Sequence, residues 1–370
     1  MTVIASTLSG IQLGLEQSHD GLVMIPLLGT GLAEPDYLLL DQALEQRTAR
    51  VTEVSEAGSV PTLRFVNDAE QPVLLLDGEE LIGAKQNRIL NLSVLAPART
   101  QLEIPVSCVE AGRWRQDSSE FRSAERTHYA EGRGRKAAQV SRTMHRVGSR
   151  QSDQIAVWDD IRDKSARFQA RSGTGAAAAM YESRSEELAQ YERAFRTVPG
   201  QLGVAFLLNG TVISLDLFDC EQTCAAVLPK LIQSCALDAL DAKIAGHRQR
   251  RPSTADLFAD DADAHGQPPQ ASSGETSAAT AAPPITPLDA AGLFLNRLAA
   301  APTRAFNALG LGDDLRLEGD EVAGGALSAQ GRLVHLCAFP ADQHELRGHS
   351  GERTRSSRIV RPSQRRRWLP

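Results

Sequence analysis

The sequence predicts an α+β protein in which antiparallel or mixed β-sheets form a sandwich or barrel with helices packed on them. Three observations predict it. Residues 21 to 110 hold short β-branched runs separated by Gly, Pro, Asp and Asn. Residues 119 to 196 change to apolar positions at helical offsets. Sheet signals then return over residues 200–218, GQLGVAFLLNGTVISLDLF, where Asn209–Gly210 between two apolar runs is a hairpin cue.

In chain order, the first strands are LVMIPLL, ARVTEV, TLRFV, PVLLL, NRILNLSVL and LEIPVSCV. YLLLDQALEQR (37–47) reads as a short helix between the first two. The stretch 123–150 is basic, polar and poor in apolar anchors, and is expected to be a long loop or loose helix. Ile155, Trp158, Ile161 and Phe168 mark a helix capped by Ser152 or Asp153. Ala177, Tyr181, Leu188, Tyr191 and Phe195 mark a second. A helix over 223–242 must hold Pro229 in its first turn or kink there. Another helix is expected over 288–308, followed by a strand meander to Phe339.

The domain reading follows. Residues 1–245 form the main α+β unit. Residues 246–287, rich in Ala, Ser, Pro and Asp, form a disordered linker. Residues 288–340 are too short to bury a core alone and are expected to pack back on the main sheet. Residues 341–370 form a disordered arginine-rich tail.

Composition narrows the function classes. The chain has 370 residues, 42% hydrophobic and 23% charged, which suits a globular protein of one or two domains. No run matches a membrane span, and MTVIASTLSG lacks the basic start of a signal peptide. The five cysteines are odd in number and scattered, which fits buried thiols in a reducing cytoplasm. From Arg347 onward there are eight arginines and one glutamate, so a net charge of −6 leaves −13 for the rest. A body this acidic is not expected to bind nucleic acid. The sequence names no cofactor and no protein partner, and its histidines show no metal-ligand spacing.

The densest chemistry lies in LDGEELIGAKQNRI (76–89). Pairing strand 87–95 with strand 102–110 by their apolar rows sets Val94 opposite Ile104, Leu92 opposite Val106 and Leu90 opposite Cys108. Arg88 then faces Glu110, so two apolar rows end in opposite charges beside Lys85, Gln86, Arg113 and Trp114. Of adjacent Glu79 and Glu80, only one can join the cluster. One reading is a ligand site at the mouth of a sheet. Arg88, Lys85 and Arg113 would grip phosphate, Gln86 would assist, Trp114 would stack, and Glu79 or Glu110 would orient a ribose hydroxyl or act as general base. The other reading is an ion-pair network that closes a barrel in a non-enzymatic interaction module. In RSGTG (171–175), Ser172 and Thr174 read as helix caps that also suit an anion. Cys108 and His335 read as buried core residues. Asp216 and Asp219 read as caps of the helix that follows them.

Together, LDGEELIGAKQNRILNLSVL and IPVSCVEAGRW resemble the signature of the ARG and Rhodanese-Phosphatase-superfamily-associated protein domain family. The resemblance continues through SDQIAVWDDI, RSGTGAAAAMYE, GVAFLLNGTVISLDLFD and GGALSAQGRLVHLCAF. It implies a link to NAD and ADP-ribose metabolism without a demonstrated activity. It points to Glu79, Lys85, Gln86, Arg88, Cys108, Glu110, Arg113 and Trp114.

Overall fold

The computed structural model describes residues 2–249 and 285–341. The amino-terminal part runs α1 (Val3–Ser9), β1 (Gln12–Leu13), β2 (Gln17–His19), β3 (Leu22–Leu28), β4 (Leu38–Leu39), α2 (Leu40–Glu45), β5 (Ala49–Glu53), β6 (Thr62–Asn67) and β7 (Val73–Leu75). It continues through β8 (Glu79–Gly83), β9 (Arg88–Leu90), β10 (Val94–Ala96), β11 (Thr100–Cys108) and β12 (Phe121–Thr127). Four helices follow: α3 (Ala130–Val147), α4 (Gln154–Phe168), α5 (Ala178–Glu182) and α6 (Ser185–Ala194). The hairpin β13 (Gln201–Leu208) and β14 (Thr211–Phe218) leads into α7 (Glu221–Gln249). After the segment outside the described residues come α8 (Pro287–Ala300), β15 (Thr303–Asn307), β16 (Asp313–Leu317), β17 (Val322–Ala329) and β18 (Arg332–Pro340).

The α+β class is correct, and so is the closed sheet. Strands β11, β6, β5, β12, β8 and β9 form a closed barrel. A second sheet runs β1-β3-β13-β14-β18-β17-β16-β15, with β2 on β3. The hairpin at Asn209–Gly210 forms, with both residues at positive φ of 51° and 78°, as a tight primed turn requires. The last meander joins the same sheet, because β18 pairs with β14 from Leu215↔Ala338 to Phe218↔His335.

Side-chain alternation divides the core into layers. On β13, Val204 and Phe206 face the helical side, where Val227, Leu228 and Leu231 of α7 pack. Ala205 and Leu207 face the other side with Ile4 of α1 and Phe294 of α8. The barrel has its own interior of Val51, Leu63, Phe65, Leu81, Leu90, Ile104 and Val106. By length and composition, Glu221–Gly246 would be apolar enough to cross a bilayer, but 78% of that window is buried against the sheet and its helices. It is the central core helix.

Several expected elements differ. Residues 87–95 are not one strand: β9 lies in the barrel, while β10 pairs with β7 in a separate small sheet. The first half of β11 is taken by β6, with Ile104 opposite Leu63, so β9 meets only its end. The register is therefore Val106↔Leu90 and Cys108↔Arg88, two residues from the expected one. Between 121 and 147 the chain is ordered as β12 and α3. Its inward stripe, Ala130, Arg133, Ala137, Val140 and Met144, has helical spacing but includes a buried arginine, which masks the apolar period. The helix expected around Ala177–Phe195 is two, broken at Ser183–Arg184. Pro229 sits inside α7, beyond its first turn, and α7 continues into residues 246–249, which had been assigned to the linker. The helix expected over 288–308 stops at Ala300, because Pro302 forces Ala301 to extended ψ of 132°. At its other end the expected linker gives Thr286 and Pro287 to the start of α8, and residues 250–284 and the tail beyond residue 341 lie outside the described residues.

Candidate functional site

The barrel mouth is built where three inward rows end in polar groups. On β9, Leu90 belongs to the barrel interior and Arg88 continues its row. On β11, Val106 does the same and Cys108 follows. On β5, Ala49 and Val51 are followed by Glu53. Leu81, Arg88 and Cys108 are direct cross-strand partners, so Arg88 projects into the end of the bore.

Arg88 is 0% exposed. Its Nη1 donates to Gln86 Oε1 at 3.0 Å and to the Asn87 carbonyl at 3.5 Å. Its Nε and Nη2 are buried and have no hydrogen-bond partner. Burial lowers its pKa, opposed by the nearby Glu53 and Glu110 carboxylates. Glu53 uses Oε1 to accept the Lys85 backbone N–H at 3.3 Å, and its buried Oε2 has no partner. Trp114 covers the mouth, 47% exposed, with Lys85 Nζ 5.5 Å and the Arg88 guanidinium 5.7 Å from its ring centre. Burial pushes the Cys108 thiol up, opposed by Arg88. Its Sγ lies 3.4 Å from the Glu110 carbonyl and is not exposed.

Glu110 and Arg113 are beside this group but are occupied with each other. Glu110 Oε2 accepts from Arg113 Nε at 2.9 Å and the Asn87 N–H at 3.1 Å, and Oε1 accepts from the Thr174 hydroxyl at 2.7 Å. Burial works to raise its pKa, but Arg113, Thr174 and Asn87 outweigh that and hold it below the ordinary value. Arg113 also donates to the carbonyls of Ala84, Gly83 and Arg115 and to Asn87 Oδ1. A carboxylate held ionised by this many donors is a poor general base, and a guanidinium this fully bonded has little left for phosphate. In this structure Glu110 and Arg113 clamp the loop.

The other expected residues divide. Gln86 bridges the two parts, donating to the Glu110 carbonyl at 3.0 Å. Thr174 joins through Glu110, and its loop is drawn in by the Gly112 N–H on the Thr174 carbonyl at 2.7 Å. A Cβ at Gly112 would lie 2.9 Å from that carbonyl oxygen, so glycine permits the approach. Ser172 is exposed and accepts from the Thr174 N–H at 3.3 Å and the Ala176 N–H at 2.9 Å, which tightens the loop; the expected cap is not formed, because the N-cap of α5 is Ala177. The helix after it, α5, is only five residues long. Glu79 is not in the cluster. It lies at the far end of β8, bound to Lys230 at 2.6 Å and to the Leu76 N–H at 3.0 Å. Glu80 is also elsewhere, paired bidentately with Arg126. Neither glutamate can act on a ligand at Arg88.

Asp216 and Asp219 do not cap α7. Asp216 is gripped by Arg133 at 2.7 and 3.1 Å, which outweighs burial and takes its pKa down to about 2. Asp219 accepts from Tyr37 at 2.5 Å and from Arg332 at 2.7 Å. Sequence reasoning missed Glu53, Arg133 and Lys136. Glu53 had the same signal as Arg88, an alternating apolar row ending in a charge. Lys136, bound to Asp77 at 2.6 Å, had none.

Among the described residues, no group of His, Cys, Asp and Glu is arranged to hold a metal ion. Fold and site define an α+β barrel-and-sheet protein whose barrel mouth carries a buried, partly unpartnered arginine. The chain belongs to the family of the ARG and Rhodanese-Phosphatase-superfamily-associated Protein domain, whose family model matches residues 10–278 and 267–339. That name ties it to ARG-type and rhodanese-phosphatase proteins without assigning an activity. Comparison with curated proteins and with solved structures returns no match.

Proposed function

We propose that the barrel mouth binds a small phosphate-bearing ligand, a nucleotide or sugar related to ADP-ribose. One observation carries this reading: Arg88 Nε and Nη2 are buried without partners. Leaving such groups unbonded costs about 1–3 kcal/mol or more for a charged group. A phosphate oxygen pair satisfies both at once. Glu53 Oε2 supplies the complementary acceptor for a ribose hydroxyl. Trp114 offers a flat, half-exposed face for stacking, with Lys85 over the same ring. Glu53 thus takes the role expected of Glu79 or Glu110. The five cysteines are all unpaired, which supports a reducing, cytoplasmic setting.

A second reading, an interaction module, is favoured by the closed Glu110–Arg113–Thr174 knot, which needs no ligand. Melting of the purified chain with ADP-ribose, NAD and simple phosphosugars separates the two. A ligand binding only the folded state at ~100 times its Kd adds about 2.7 kcal/mol. A shift that is lost in Arg88→Met supports the ligand site. No shift with any of the three transfers the weight to the module.

A further inference from the structure

Away from the barrel mouth, Ser93, His335 and Asp216 converge from three separate segments. Ser93 Oγ lies 2.7 Å from His335 Nδ1, and His335 Nε2 lies 3.3 Å from Asp216 Oδ1. Ser93 Oγ also accepts the Asp77 backbone N–H at 3.0 Å. The Asp216 carboxylate can only accept, so His335 Nε2 carries a proton; in the neutral ring Nδ1 is then bare and accepts the Ser93 hydroxyl proton. Phe218 stacks on the imidazole at 4.8 Å and fixes its plane. The chain is a hydroxyl, a base and a carboxylate in hydrogen-bond order. The ring nitrogens are exchanged relative to the serine-protease arrangement, but the direction of proton flow is the same.

The surroundings suit a reacting group. Ser93 is only half-buried, unlike His335 and Asp216. Beneath it lies a cavity of about 10 Å³, room for one water, lined by Asp77, Asp314, Arg316 and Gly325. Arg316 uses Nε and Nη2 on Asp314 Oδ1, and its Nη1 lies 2.8 Å from where a Cβ on Gly325 would sit. A side chain at position 325 would close this space.

We propose that Ser93 is a nucleophile, with His335 as its general base, for a small carboxylic ester or acyl group that reaches it from its solvent-exposed side. The Ser93 Oγ–carbonyl bond forms as the proton passes to His335 Nδ1. The alcohol leaves with that proton, and water then releases the acid by the same route. Asp216 acts through His335 as a positioning residue.

The test is labelling of the full chain with a fluorophosphonate probe, read by peptide mass mapping. The Ser93 Oγ–phosphorus bond forms, fluoride leaves, and the serine proton goes to His335. Selective labelling at Ser93, absent in Ser93→Ala, is the expected result. In His335→Gln, whose amide can keep both hydrogen bonds but cannot take a proton, the rate should fall at least ~100-fold at an unchanged melting midpoint. Folded wild-type protein that is not labelled at Ser93 overturns the proposal, whatever the variants do. So does an undiminished rate in His335→Gln.

Discussion

Arg88 lies directly across the β9–β11 pair from Cys108, and not from Glu110. The two-residue difference matters energetically. Opposite Glu110, the guanidinium would be one half of an ordinary ion pair. Opposite a thiol whose pKa burial has raised, it keeps two buried N–H groups free.

Arg88→Met should therefore leave the ligand-free protein as stable as the parent or more so, because a buried charge without a full partner set is replaced by apolar volume. Urea unfolding measures this. A loss of more than ~2 kcal/mol would mean that Arg88 is needed for the fold itself and would count against a ligand role.

The clamp should behave in the opposite way. Glu110→Ala removes the buried carboxylate partner of Arg113, which keeps Asp117 at 3.1 Å and its carbonyl acceptors, and is expected to cost about 1.5–3 kcal/mol. Thr174→Val removes one hydrogen bond to a charged group and should cost about 1.5–3 kcal/mol. Near-equal midpoints for Glu110→Ala and the parent would show that the knot contributes nothing.

Trp114 is expected to separate binding from stability. It is half-exposed and lies outside the described hydrophobic clusters, so Trp114→Ala should change unfolding free energy by less than ~1 kcal/mol. The same variant should lose the thermal shift given by a nucleotide. A retained shift would remove stacking from the proposed site.

Acid should destabilise this protein early, through His128. Burial, then repulsion by Lys136, Lys164, Arg133 and Arg126, takes its folded pKa down to about 3 from 6.5. The folded state therefore favours neutral His128. Its contribution is fully present above the unfolded value and is lost as pH falls from about 6.5 towards 3, at about 1.4 kcal/mol per unit. Asp216, held down to about 2, adds a further loss on the order of 2 kcal/mol only below pH ~4. Unfolding free energies measured from pH 7 to 4 should show that slope, flattened in His128→Asn. An equal slope in the variant would assign it to other groups.

Much of the fold was legible because it is written in short-range periodicity. The hairpin at Asn209–Gly210, the helix capped by Asp153 and the barrel strands β5, β6 and β11 follow from local pattern and turn chemistry. Alpha-helix α3 was not legible. Its buried face carries Arg133 and Lys136, residues that look like solvent to any local reading. They are inside because Asp216 and Asp77 meet them from strands and loops far along the chain.

The candidate site divides along the same line. By itself the sequence determined that apolar rows end in charge near residue 88, because alternation along a strand is a local property. Which charge meets which was decided only by the tertiary structure. Closing the barrel gives the start of β11 to β6 and shifts Arg88 onto Cys108. It sends Glu79 to Lys230 on α7 and brings Glu53 towards Arg88. Register between distant strands depends on the free energy of the whole closed sheet, and no window of local sequence contains that term.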